Sequence, residues 1–208
     1  MRSLLAGFRR MVEPRQHESE YRRGLRMSLI EGIPANILAN LLGGPLQTAF
    51  LLYLGFSSEQ IGIVLSIPSF TLLIQVAAAF AMQKWQNRRP LILLLGVSHR
   101  VLWVATGLIP LLSPEAAWVP LYVVLFLLSF LAAQACGVIW TSLMADAVPP
   151  AVRGKYFGIR NTIHWAVVCI TLLAGGQLME WLPGGRGFTV LYVISSVCIV
   201  WNGWALSR

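Results

Sequence analysis

The functional information in this chain lies in the few polar side chains set within long apolar runs, because a polar group in a bilayer is costly unless it faces protein or water. Asn36, Asn40, Gly43 and Gln47 share one face of a helix at 100° per residue. That stripe fits the wall of a water-filled pathway, or interhelical hydrogen bonding beside the close-packing Gly43-Gly44-Pro45. At 1.5 Å per residue, Asn40, Arg100 and His164 lie roughly 12–17 Å inside their runs, with Gln134 at a similar level. Secondary transporters bind substrate at this depth. Asn161 lies nearer the end of its run. Asn40 and Gln134 suit hydrogen-bonding ligands, and His164 suits a ligand or a protonation switch. Arg100 is the most costly of the group and requires pairing or hydration. It fits a structural bond within the bundle or a ligand for an anionic substrate. Glu31 has Arg26 as a nearby partner, or carries a coupling proton; His99 points elsewhere on its helix and reads as structural.

The same inventory excludes most enzyme chemistry. The apolar runs hold no paired carboxylates, no HExxH, no nucleophile-base arrangement and no metal-ligand cluster. The expectation is a protein that is not an enzyme and takes no metal or cofactor. Cys136, Cys169 and Cys198 all fall inside apolar runs without metal or disulfide spacing, and read as small buried hydrophobes.

The elements that must position these residues follow from composition. Of 208 residues, 57% are hydrophobic and 12% charged, with a mean hydropathy of +0.69. A soluble domain carries about twice that share of charge. The apolar residues form six runs, at about 33–54, 61–82, 90–112, 118–145, 156–178 and 188–206, each long enough at about 1.5 Å per residue to cross a hydrocarbon core of about 30 Å. A soluble enzyme or nucleic-acid-binding protein is excluded. The expected fold is an all-α integral membrane bundle of six transmembrane helices spanning residues 27–208, preceded by a cytoplasmic basic tail at 1–26.

The net charge of +8 reports orientation rather than a polyanionic partner. With a cytoplasmic N-terminus, 14 of the 16 basic residues fall on one side, Arg186 on the other and Arg100 within a span. Positively charged juxtamembrane segments resist translocation, so both termini are expected inside. In the tail, Leu4, Leu5, Phe8, Met11 and Val12 fall near helical spacing between arginines. That fits a short basic helix on the inner leaflet or a disordered tail held near anionic lipid. Pro149 and Pro150 are expected to stop the fourth helix, leaving a basic connection at 148–155.

Two halves of three spans each, 29–112 and 118–206, carry similar second-span openings, Ile61-Gly62-Ile63 and Phe157-Gly158-Ile159. One half would start inside and the other outside, giving a 3+3 inverted repeat of the kind found in secondary transporters. The connection Phe80-Ala-Met-Gln-Lys84-Trp85-Gln-Asn87-Arg88-Arg89 keeps the length and basic end of the signature G-x-x-x-D-[RK]-x-G-[RK]-[RK] that joins spans 2 and 3 in the major facilitator superfamily. Phe80, Lys84 and Asn87 stand where Gly, Asp and Gly are expected. The connection from Asp146 through Pro149, Arg153-Gly154 and Gly158 to Asn161 is closer to the superfamily's link between spans 4 and 5, an acid followed by P-x-x-x-R-G.

From about residue 27 onward the chain resembles the N-terminal six-helix half of such a transporter. The resemblance implies secondary active transport of a small solute by alternating access, with span 1 on the cavity and span 3 at the periphery. It implies a substrate pathway of Asn36, Asn40, Gln47, Gln134, Asn161, His164 and Arg100. It also implies a cytoplasmic gating cluster of Lys84, Arg88, Arg89, Asp146 and Arg153, with Asp146 standing in for the missing acid. Expected partners are a small-molecule substrate, a coupling proton or ion, the lipid bilayer, and a second six-helix half or a homodimer partner. The chain then serves as a fragment, a split gene product or a self-associating half. It would be a multi-pass protein of the cell membrane, the inner membrane if the source is bacterial. The alternative is a six-span membrane subunit of an ATP-driven or channel complex.

Overall fold

The computed structural model describes residues 20–82, 84 and 88–206, with side chains for all of these except 20–24, 89 and 206. The expected basic helix of the tail, together with Trp85, Asn87 and Arg208, lies outside the described residues. Among the described residues every regular element is helical. Six helical segments are long and apolar enough to cross a membrane: Leu25–Tyr53, Ser58–Met82, Pro90–Leu112, Glu115–Ala147, Pro150–Trp181 and Gly185–Ala205, here spans 1 to 6. Each coincides with one apolar run of the sequence, because a helix satisfies its own backbone groups and its apolar length is then set by what it must cross.

The first three spans are interrupted. Span 1 consists of α1 (Glu20–Leu41) and α2 (Gly44–Tyr53). Between them Gly43 is extended and Gly44 has φ +55°, a left-handed value that glycine adopts without penalty. A Cβ on Gly43 would strike the carbonyl oxygen of Ala39. Pro45 sits in the first turn of α2, where its missing donor costs nothing. Span 2 consists of α3 (Ser58–Phe70), a 3-10 turn at Thr71–Leu73 and α4 (Ile74–Met82). Pro68 inside α3 cannot donate to the helical ladder, and the Thr71 hydroxyl lies 3.0 Å from the Ile67 carbonyl and 2.9 Å from that of Pro68. Span 3 runs through α5 (Arg88–Ala105), a 3-10 turn at Thr106–Leu108 and α6 (Ile109–Leu112).

Spans 4, 5 and 6 are dominated by single helices: α7 (Trp118–Ala147), α8 (Pro150–Trp181) and α9 (Gly185–Leu206). The helical starts correct two sequence expectations. The tail boundary at residue 26 falls inside α1, which begins at Glu20. The expected connection at 148–155 shrinks to Val148 and Pro149, because proline is well accommodated in the first turn of a helix and α8 begins at Pro150. Arg153, Lys155 and Arg160 are therefore helical residues.

The spans pack in a definite pattern: α5 lies along α7, α1 along both α9 and α8, α3 and α4 along α7, and α5 against α9. Their common core joins Leu38, Leu42, Phe50 and Leu51 of span 1 with Val64, Trp103, Tyr122, Phe126 and Leu191. Aromatic rings seal it, with Phe126 and Phe130 centroids 4.5 Å apart and Phe50 at 5.1 Å from Tyr192. Outside this core the surface is apolar, with Phe70, Leu73, Leu111, Leu173 and Val200 exposed. So much contiguous apolar surface suits lipid rather than water. The molecule is thus an all-helical bundle with the lengths and surface of a multi-pass membrane protein.

Candidate functional site

Three spans meet at Glu31, the one buried acid among the described residues. Arg100 of α5 donates from Nη2 to Glu31 Oε1 at 3.2 Å and from Nη1 to its own helix at Gly96 O, 2.7 Å. Asn202 of α9 donates through Nδ2 to the same carboxylate oxygen at 2.9 Å and to the Glu31 backbone carbonyl at 3.0 Å. That carbonyl lies in the turn disturbed by Pro34 of α1, whose ring crowds the helical ladder there. The Glu31 and Arg100 side chains are only 11% and 13% exposed, so this pair belongs with buried ion pairs rather than surface ones. The arrangement holds spans 1, 3 and 6 together through one carboxylate, as a structural arginine would. Glu31 takes its charge partner from span 3, 69 residues away.

One residue along, Gly32 receives the imidazole of His164: a Cβ there would overlap the ring atoms Cε1 and Nε2. His164 is 7% exposed, and its Nε2 is buried without a hydrogen-bond partner among the described residues. A turn earlier on α8, Arg160 lies with its guanidinium 4.6 Å from the centroid of the Trp140 ring of α7. Its Nε is also buried without a hydrogen-bond partner. Both Arg160 and His164 are within Coulombic reach of Glu31. Sequence reasoning assigned Arg160 to a basic connection; the helix start at Pro150 carries it about 15 Å along α8 instead. Asn202 was also missed, although a buried asparagine within an apolar run was the available signal.

The remaining expected pathway residues divide by partner. Asn36 Nδ2 donates to Gly32 O at 2.7 Å and Asn40 Nδ2 to Asn36 O at 2.8 Å, so both amides bond back onto α1 while staying partly exposed. Gln47 is buried and donates to the Tyr122 hydroxyl at 3.3 Å. The break at Leu42 and Gly43 interrupts the regular 100° progression, so the single face reckoned through Gln47 does not continue past α1. Gln134 accepts from Gln75 Nε2 at 2.7 Å and donates to Pro68 O at 3.2 Å. Its amide thus supports the disturbed backbone of span 2 from span 4. Asn161 is exposed on α8. His99 is bound to Ser129 through Nδ1, 2.8 Å from Oγ and 3.0 Å from O, while the Ser129 hydroxyl donates to His99 O. These bonds account for its position as a clasp between spans 3 and 4.

At the basic end of the bundle, Arg88 pairs with Asp146 across the start of α5 and the end of α7. The Asp146 side chain is 71% exposed, and a pair so open to solvent contributes about 0–1 kcal/mol. Arg153 donates to the carbonyls of Ala145 at 2.9 Å and Val148 at 3.2 Å, capping α7 rather than bonding to Asp146. Lys84 is exposed in the turn between spans 2 and 3, and the Arg89 side chain lies outside the described residues. No group of three metal-binding side chains occurs among the described residues.

Comparison with protein-family models, curated proteins and solved structures finds no match. The geometry above therefore carries the functional reading.

Proposed function

We propose that this chain forms one six-span half of a secondary transporter similar to the major facilitator superfamily, moving a small solute by alternating access. The packing pattern carries this reading. Exchange spans 1, 2 and 3 with 4, 5 and 6, and the contact of span 3 with 4 becomes that of 6 with 1. The contact of 2 with 4 becomes that of 5 with 1, and that of 3 with 6 returns to itself. Spans related by this exchange cross in opposite directions, as an inverted 3+3 repeat requires.

The exposed side of span 5 adds a second support. Asn161 is exposed on α8 near the basic end of the bundle, where lipid would leave its amide poorly satisfied. A second bundle or a water-filled cavity meets that requirement. The basic end, with 13 of 16 cations in the N-in arrangement once Arg160 is placed within span 5, then faces the cytoplasm. The short connections between spans also disfavour an ATPase-coupled subunit, whose coupling segments must protrude to be grasped.

A transport screen of the complete reading frame in proteoliposomes, with and without a pH gradient, tests the proposal. Asn40→Ala removes an amide that bonds back onto its own helix at Asn36 O. It should lower uptake several-fold while leaving membrane insertion unchanged. Wild-type uptake in that variant would take Asn40 out of the pathway.

A further inference from the structure

We infer that the junction of spans 1, 4 and 5 holds a binding site for an anionic oxygen group, a carboxylate or phosphate, built on Arg160 with Ser28 and Trp140. The register of spans 1 and 5 brings these residues together. Tyr156 donates to Leu25 O at 3.0 Å, His164 fills the space at Gly32, and Gly175 lies against Leu41 and Leu46. The two helices therefore run in the same direction with nearly constant offset, and Ser28 falls at the level of Arg160. Three buried atoms in this one stretch have no hydrogen-bond partner among the described residues: Ser28 Oγ, Arg160 Nε and His164 Nε2. Ser28 and His164 are each more than nine-tenths buried.

Their chemistry selects the ligand. The Ser28 hydroxyl and the Arg160 guanidinium N–H donate, whereas the His164 ring bonds to the Leu29 backbone and its Nε2 is packed against Gly32. Two such donors at one level of the bundle suit an acceptor with several lone pairs, and the fork of arginine matches carboxylate or phosphate oxygens. Charge balance points the same way. Glu31, the buried acid within reach, is already held by Arg100 and Asn202. Arg160 has the Trp140 ring but no hydrogen bond or ion pair among the described residues. A guanidinium placed inside a membrane-spanning helix calls for an anion, which the Trp140 ring beside it does not supply.

The inference rests on the transport reading only for the role of the anion as cargo; the binding site itself is tested separately. The full chain in phosphatidylcholine nanodiscs is heated with benzoate, inorganic phosphate or the neutral amide benzamide, and the unfolding midpoint is followed by tryptophan fluorescence. Benzoate or phosphate at about 100 times its dissociation constant should raise the midpoint by roughly 5 °C, and benzamide should not. Arg160→Gln should abolish the shift, and Arg160→Lys should retain part of it. Equal shifts with benzoate and benzamide, no shift with either anion, or a wild-type response in Arg160→Gln would each overturn the site. The comparison of benzoate with benzamide uses only the wild-type protein, so it decides the matter even where a variant does not fold. A shift produced only by adding phosphatidylglycerol, and lost in Arg160→Gln, would assign the anion to lipid and overturn a soluble ligand. Anion binding without uptake would remove the transport reading and leave the site. Uptake of a neutral solute unchanged by Arg160→Gln would do the reverse.

Discussion

At the residue scale the dominant interaction is the carboxylate of Glu31, shared by Arg100 and Asn202. Removing one member of a buried ion pair leaves the other charge uncompensated, which costs about 3–5 kcal/mol, whereas removing both returns much of that loss. Glu31→Gln and Arg100→Gln should each destabilise the bundle by about that amount, and the double variant should lose less than the sum. Equilibrium unfolding in detergent measures all three, and strict additivity would show that the two charges do not depend on each other. This pairing illustrates the limit of reading the sequence. That Arg100 needed a partner follows from its placement in an apolar run, and Glu31 stands at the entrance to another. Which partners they have does not, because Arg100 lies 69 residues and Asn202 171 residues from Glu31. His164 could be singled out as a polar residue in a span, but its seat against Gly32 depends on the register of two helices far apart in the chain.

Among elements, the contact between spans 1 and 5 is the closest test of how the bundle is built. Gly32 lets the His164 ring approach the α1 backbone, so Gly32→Ala forces the ring or the helix to move. Such overpacking costs about 1–3 kcal/mol. Gly32→Ala should lower thermal stability, and His164→Ala in the same background should recover part of the loss because it removes the atoms in conflict. Gly32→Ala with unchanged stability would mean that the two spans separate at no cost. Helix existence was legible throughout, since six apolar runs of sufficient length leave a membrane chain few alternatives. The interruptions were less so. Gly43-Gly44-Pro45 and Pro68 mark breaks by their backbone chemistry, yet whether a proline kinks, breaks or starts a helix depends on what covers the freed groups. Just beyond Pro68, at the turn into the 3-10 segment, Thr71 and Gln134 of another span both donate to the Pro68 carbonyl. The pair Pro149 and Pro150 shows the same ambiguity: it both ends α7 and begins α8, which moved Arg160 from an expected connection into the bundle.

For the whole molecule, the proposed orientation and the proposed internal symmetry are linked. An inverted repeat puts corresponding ends of its two halves on opposite sides, so packing symmetry alone leaves the direction of the bundle open; the cations are what support the proposed one. Lys84, Arg88 and Arg153 gather at one end, while Glu59 and Glu115 lie in or beside the connections at the other. Holding that basic end in the cytoplasm satisfies the bias against translocating positive segments. Replacing Cys136, Cys169 and Cys198 with alanine gives a background for single cysteines at the two ends. In sealed cells a membrane-impermeant maleimide should label Glu59→Cys and Glu115→Cys from outside, and Lys84→Cys and Arg153→Cys only after permeabilisation. Labelling of all four from outside would show that the six helices do not form a sealed six-span topology. The reversed pattern would preserve the bundle but overturn its orientation. It would also place Arg160 nearer the outer face, so the side from which the proposed anion site is reached follows from the same measurement.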